Sequence, residues 1–398
     1  NAYKFLINYF GVKVMGKIKV GLLIDEYFGG AGTAFGGYGF LARRHIAKYI
    51  PNHEIEIDVL LGKKRKWGGV KATKYNIDGI NVYYLPAHRM CARRWLKKQN
   101  YDIYLSIELT DHFVLQNEID FNKKLILWIQ DPRPLYEWAE IDTVKIFPEY
   151  CYYNQNLYNF VHQLYLDNRV KFISQAHFLN CKARDLYKLD INAPIQYVPN
   201  PIDIDEKFNI TSYSKKNQII FLGRIESVKR GWLFCEIAKL LPQYEFYMLG
   251  QSFREAEKNS EIMKPYLNIP NLHFAGHVDG KEKEQFLKDA KILVNTSIHE
   301  ALPISFLEAL SYGTLIVSNV NPESLTSKFG IYVGEVLGDG FDRPHLYVDA
   351  IKQLMGNDTL RHELACQAIS YIKEVHAVPS FVNDLRKIIK DTAKGKLC

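Results

Sequence analysis

Apolar residues in this chain gather in short runs that stop at glycine or polar turns, and stretches with helical spacing follow them. The first clear run, Ile18-Lys19-Val20-Gly21-Leu22-Leu23-Ile24-Asp25, ends in a glycine-rich stretch, as a buried parallel strand does. Gly29 to Gly39 leads into Phe40–Tyr49, which has helical spacing, so the order is strand, glycine loop, helix. Further strands are predicted at Ile55–Leu60, Asn81–Leu85, Ile103–Ile107, Lys124–Ile129, Val170–Ser174 and Gln196–Val198, with helical segments between them. This alternation predicts a doubly wound α/β sheet. Asn1 to Met15 have no clear period and read as a strand or a surface arm.

Pro199-Asn200-Pro201 breaks the pattern, and the polar stretch Lys207–Lys216 reads as a linker. A second series follows: strands at Gln218–Gly223, Glu245–Leu249, Leu272–Ala275, Ile292–Asn295 and Leu315–Ser318, with helices near Trp232–Lys239, Glu282–Asp289 and Ser305–Ser311. Two Rossmann-like domains joined in this way place a cleft at the carboxyl ends of their strands, where such sheets bind ligands.

Composition agrees with two folded domains. The 398 residues are 47% apolar and 24% charged, which is enough for more than one core and argues against disorder. A run of about 18 uncharged apolar residues is missing, as is a cleavable leader, so the expectation is a soluble cytoplasmic protein. The six cysteines are scattered without a CxxC pair, which argues against a zinc site or a disulfide framework. The net charge of +7 is uneven, with basic clusters at Lys63–Lys66 and Arg89–Lys98. In the second cluster Arg89 and Arg93 would share a helix face and Trp95 could reach a lipid interface. That suits a peripheral contact with the inner face of a membrane, and equally a solvated helix. No nucleic-acid-binding motif is visible, and nucleic acid is not an expected partner.

The chemistry concentrates in Ile298-His299-Glu300-Ala301-Leu302-Pro303-Ile304-Ser305-Phe306-Leu307-Glu308-Ala309-Leu310-Ser311-Tyr312-Gly313, after the strand Ile292–Asn295. If Ser305 begins a helix, Glu300 lies in the preceding loop and Glu308 in the first turn or two, both at the strand-end cleft. The helix N-terminus offers free N–H groups to a phosphate. The spacing alone would also suit a solvated pair of glutamates.

With its flanks, this segment resembles the retaining GT-B glycosyltransferases of the family 4 type (glycosyl transferases group 1), in which seven residues separate two glutamates. Phe221-Leu222-Gly223-Arg224-Ile225-Glu226-Ser227-Val228-Lys229 resembles the turn in which an arginine and a lysine hold the donor diphosphate. Val198-Pro199-Asn200-Pro201-Ile202-Asp203 resembles the segment at the domain junction, and Met248-Leu249-Gly250 the glycine turn after the second strand.

The resemblance implies an α/β GT-B fold, two Rossmann-like domains with parallel sheets facing across a central cleft. It divides the chain into an acceptor-side domain (1–203), a nucleotide-sugar-binding domain (204–378) and a C-terminal helix (379–398) packing back on the first. It implies a retaining hexosyltransferase with a nucleotide-sugar donor, UDP or GDP, and a glycan, lipid-linked or polysaccharide acceptor. Glu300 would contact the sugar near the reacting carbon and Glu308 the ribose. Arg224 and Lys229 would hold the diphosphate, the amides of Ile304 and Ser305 the phosphate oxygens, and His277 and Val278 would border the base. Gly36 and Gly37 would let the backbone approach the donor phosphate. No cofactor and no metal would be needed, because two cations hold the leaving group.

The chain also departs from that pattern. Ala301 stands where a glycine usually follows the first glutamate, Pro303 lacks an N–H, and Arg230 precedes Gly231 where a glycine commonly follows the lysine. Where many relatives place a histidine, this chain has Gln130-Asp131-Pro132-Arg133-Pro134, so that Gln130 and Asp131 would meet sugar hydroxyls or simply form a turn. His277 could equally be structural, the glycines near 36 a flexible loop, and Arg224 and Lys229 surface cations. Three other readings compete: a nucleotide-sugar epimerase of the same fold, a non-catalytic binding protein, and a NAD-dependent oxidoreductase. The last is weakened by Phe35 where the dinucleotide fingerprint needs glycine.

Overall fold

The computed structural model describes residues 16–62, 69–109, 123–252 and 254–396. Asn1–Met15, the Lys63–Lys66 cluster and Cys398 lie outside them.

Two sheets carry the chain. The first has eight strands in the order β3-β4-β2-β1-β5-β6-β7-β8: β1 (Ile18–Ile24), β2 (Ile55–Leu61), β3 (Thr73–Ile77), β4 (Ile80–Tyr84), β5 (Ile103–Ile107), β6 (Lys124–Ile129), β7 (Val170–Ser174) and β8 (Ile195–Tyr197). β1 lies parallel between β2 and β5 with Leu22, Leu23 and Ile24 fully buried, which is why its sequence is apolar without alternation. At the sheet edge β3 pairs antiparallel with β4. The sequence pattern did not predict β3, because only polar or half-exposed residues fill it.

The second sheet has six strands in the order β11-β10-β9-β12-β13-β14: β9 (Gln218–Leu222), β10 (Glu245–Leu249), β11 (Leu272–Gly276), β12 (Ile292–Asn295), β13 (Leu315–Ser318) and β14 (Gly330–Tyr332). Ile219, Phe221, Phe246, Met248, Ile292 and Val294 pack with Trp232 and Phe234 from the helix Gly231–Lys239. Trp138, Ile141, Val144 and Phe147 join this same core.

The described residues accordingly form two compact units. One gathers the chain to Ile126, Arg169–Lys171 and the segment from Leu385; the other holds Leu127–Asn168 and Phe172–Asp384. The C-terminal helix runs Val378–Ala393. In the first unit, Arg386 of this helix donates to the carbonyls of Tyr49 and Ile50 at 2.6 and 3.0 Å, and Lys390 pairs with Glu54.

Candidate active site

The second unit carries most of the predicted site. β9 and β12 are neighbours, so the loops after them emerge side by side. The first loop turns sharply: Gly223 donates to Leu249 O at 3.0 Å, and a Cβ at Gly250 would sit 1.8 Å from Gly223 O, so this crossing requires glycine. Arg224 follows, then a short 3₁₀ turn Ser227–Lys229, then Arg230 in the left-handed region (φ 47°), which a glycine fills more readily. Arg230 holds that conformation through its side chain. The buried guanidinium donates to the carbonyls of Thr296 (2.7 Å), Val336 (2.8 Å) and Gly338 (2.8 Å), and Thr296 Oγ1 returns a bond to Lys229 O at 2.9 Å. Burial outweighs the opposing influence of Tyr347 and Asp339 and pushes its pKa down to about 10. The two loops are thereby stitched into one rigid shelf.

Lys229 and Glu300 meet on this shelf. Lys229 Nζ lies 2.5 Å from Glu300 Oε1, which also accepts from Ser297 Oγ (2.6 Å) and Asn295 Nδ2 (3.1 Å). Asn295 is itself fixed: its Oδ1 accepts from Ser297 N and Ser318 Oγ, both at 3.2 Å. Burial would raise the Glu300 carboxyl, but the Lys229 charge and these donors outweigh it and hold the group below the usual carboxylate range. Glu300 is therefore a fixed, ionised carboxylate. Pro303 caps the helix Ile304–Ser311, so the amides of Ile304 and Ser305 fall in its first turn, which lacks intrahelical acceptors.

Glu308, on this helix, pairs with Lys283 Nζ at 2.8 Å, and Lys283 lies 3.7 Å from Asp279. That ties Glu308 to the loop after β11, where His277 is exposed and Val278 buried. Arg224 lies 3.8 Å from Glu226 Oε2, which takes a 2.6 Å bond from Arg254.

The turn after β6 divides Gln130 from Asp131. Gln130 is 1% exposed and its amide is engaged at both ends by Asn200: Nε2 donates to Oδ1 at 3.0 Å and Oε1 accepts from Nδ2 at 3.1 Å. Asn200 also bonds Gln175 Oε1 (2.5 Å), and its carbonyl accepts from His376 Nδ1 (2.7 Å). Gln130 thus ties together the Pro199-Asn200-Pro201 junction. Asp131 instead faces the glutamate loop. Its Oδ1 lies 2.8 Å from His299 Nε2, and Oδ2 accepts from Arg133 at 2.5 Å. Burial opposes its charge, but Arg133 and His299 keep it far below the usual range.

His299 joins the two segments, because its Nδ1 lies 3.8 Å from Glu137 Oε2. A cavity of about 880 Å³ opens beside this array, walled by Glu137, Glu140, His299, Glu300, Glu323 and Glu335 among others. Sequence reading missed His299, Glu137 and Lys283. Only His299 carried a local signal, its place directly before Glu300. Gly36 and Gly37 belong to the other unit, where a Cβ on Gly36 would meet the Glu26 carboxylate at 1.9 Å.

Among the described residues, no three His, Cys, Asp or Glu side chains converge to hold a metal ion, and no helix is long and apolar enough to cross a membrane. No curated protein sequence matches the chain. Its fold is shared with sucrose-phosphate synthase from Thermosynechococcus elongatus (TM-score 0.70, 12% identity, 94% of this chain and 99% of that one). Anabaena Alr3699/HepE in complex with UDP-glucose is similar too (TM-score 0.64, 12% identity, 94% and 99%). So is a glycosyltransferase from Rickettsia africae (TM-score 0.66, 12% identity, 95% and 99%). Residues 203–371, which hold Arg224, Lys229, Glu300 and Glu308, match the model of the family described as glycosyl transferases group 1. The chain therefore has the GT-B fold, and its residues 203–371 are similar to the family described as glycosyl transferases group 1.

Proposed function

We propose that this protein is a retaining glycosyltransferase that moves a hexose-type sugar from a UDP- or GDP-sugar to a hydroxyl of a glycan, lipid-linked or polysaccharide acceptor. The observation that carries the reading is the half-buried Lys229–Glu300 pair at 2.5 Å, held ready beside a helix N-terminus. In the reaction the bond from the anomeric carbon to the diphosphate oxygen breaks, and the oxygen keeps the electron pair. The acceptor oxygen bonds the same face of that carbon, and its proton passes to the departing phosphate. Arg224 and Lys229 balance the charge growing on the diphosphate, the amides of Ile304 and Ser305 meet its oxygens, and Glu300 balances the positive charge growing on the sugar. Glu308 takes the ribose hydroxyls once Lys283 yields, with His277 and Val278 beside the base. Asp131 acts through His299, while Gly36 and Gly37 keep the close-approach role implied by their lack of side chains. Two cations on the leaving group make a metal unnecessary.

A thermal-shift panel of UDP, GDP, dTDP, CDP and NAD, with and without EDTA, tests this on the wild type and on Arg224→Ala. UDP comes first because a neighbour of this fold was crystallised with UDP-glucose. A ligand at about 100 times its dissociation constant adds about 2.7 kcal/mol to the folded state. The expected outcome is stabilisation by one nucleoside diphosphate, unaffected by EDTA and lost in the variant. Stabilisation by NAD alone, or by nothing, would overturn the reading.

A further inference from the structure

The cavity beside Glu300 is acidic in a chain whose net charge is +7. Five carboxylates wall it: Glu137, Glu140, Glu300, Glu323 and Glu335. Lys182 and Lys229 reach Glu137 and Glu300 from outside, and Lys328 is the one lysine on the wall, which leaves two negative charges unbalanced beside the imidazoles of His177 and His299.

A second observation is independent of that count. Glu137, which lines the cavity and pairs with Lys182 through Oε1, is only 5% exposed, and its Oε2 is a buried oxygen without a hydrogen-bond partner, 3.8 Å from His299 Nδ1. A buried carboxylate oxygen left in this way is costly unless a donor reaches it. Glu140, on the same helix Leu135–Ile141, is held above the usual carboxylate range by burial and then by the charges of Glu137 and Glu335. The carboxylates are spread around the wall and do not converge, so among the described residues they form no metal-binding group. The volume of about 880 Å³ suits an organic ligand of sugar size.

Resting on the transferase reading, we infer that this cavity is the acceptor subsite and that it selects an acceptor carrying a protonated amine, an amino sugar in its free-amine form. The ammonium donates to Glu137 Oε2 and shares the field of Glu140 and Glu335, while a neighbouring hydroxyl of the same acceptor faces Glu300 and takes the sugar. An anionic acceptor meets like charge and is rejected.

The test is calorimetric titration of the full chain with the glucosamine disaccharide, its N-acetylated counterpart and glucose 6-phosphate, with and without saturating UDP. A hydrogen bond to a charged partner predicts at least about tenfold tighter binding of the free amine than of the N-acetylated sugar, and no competition from the phosphate. In Glu137→Gln, which removes the charged acceptor of the ammonium, and in Glu140→Gln/Glu335→Gln, which removes the surrounding field, the preference weakens while stabilisation by UDP persists. The inference is overturned by equal affinities, by no binding of the amine, by a preference undiminished in both variants, or by magnesium or calcium ions taking the place of the amine. Loss of UDP stabilisation in the wild type sinks the transferase reading instead. The titrations without nucleotide then still decide the amine preference.

Discussion

The shelf around Glu300 and the cavity beside it are built from the same residue type to opposite effect. On the shelf every carboxylate oxygen named has a donor: Glu300 takes three, and Asp131 is shared between His299 and Arg133. In the cavity Glu137 leaves one oxygen bare and Glu140 is crowded by two neighbours of like charge. A site whose polar groups are satisfied before the ligand arrives keeps its geometry and needs little reorganisation at the moment of reaction. One whose groups are left open stores a demand that only an incoming donor can meet. The two regions differ, then, in what they are made for: the first orients, the second selects.

The largest effect should come from breaking the closed region. Lys229→Met leaves the nearly buried, ionised Glu300 without its cation, which costs about 2 kcal/mol of stability, since removing one partner of a largely desolvated pair is worse than removing both. The double variant Lys229→Met/Glu300→Gln should therefore melt closer to the wild type than Lys229→Met alone. Transfer activity should fall by about 10²–10³ in both, because the leaving diphosphate has lost a cation in each. Denaturant melts and initial rates on the three proteins check this. A double variant less stable than Lys229→Met would mean that the pair is not closed in the sense argued.

Much of the closed region could be read from sequence because its parts are local. Arg224 and Lys229 share one turn, Glu300 and Glu308 one loop and helix, and each segment follows an apolar strand. What could not be read were contacts across long separations. Asp131 and His299 lie 168 positions apart, and the apolar pattern of either segment says nothing of the other. Gln130 and Asp131 look alike as candidates in a turn, yet the fold commits one to Asn200 and turns the other toward His299. The edge hairpin was missed for a different reason. Asp78-Gly79, with φ of 53° and 80°, is a two-residue hairpin signal between β3 and β4, overlooked because β3 has no apolar face to announce it. Arg230 inverts the usual inference. The sequence marked it as a departure from a glycine, and its buried guanidinium supplies the bonds that hold a left-handed backbone in place.

The amide network behind the closed region offers a second, similar-sized test by pH. His376 donates from Nδ1 to Asn200 O, and its Nε2 is buried with no partner, so burial pushes its pKa down from 6.5 to about 4. Between pH 6.5 and 4 the unfolded chain takes up a proton that the folded one refuses, so stability falls with falling pH, by about 3 kcal/mol over the window. Glu300 is depressed, so its contribution is present above its ordinary value of 4.5 and is lost only as pH falls through the lower folded value. Urea midpoints in His376→Gln should thus be flatter than wild type between pH 6.5 and 4 and parallel to it below. Equal slopes in the upper window would remove His376 from the account.

The smallest expected effect lies in the open region and has the opposite sign. Glu140 is disfavoured as an anion by burial and by Glu137 and Glu335, so a neutral isostere relieves repulsion without removing a hydrogen bond made by its side chain to a described residue. Glu140→Gln should hold or raise the melting temperature, with a gain of a few tenths of a kcal/mol because the site is open to solvent. The sign matters more than the size. A carboxylate kept where it destabilises the fold is retained for something other than the fold, whereas a loss of stability in Glu140→Gln would place it among the closed groups and erase the contrast between the two regions.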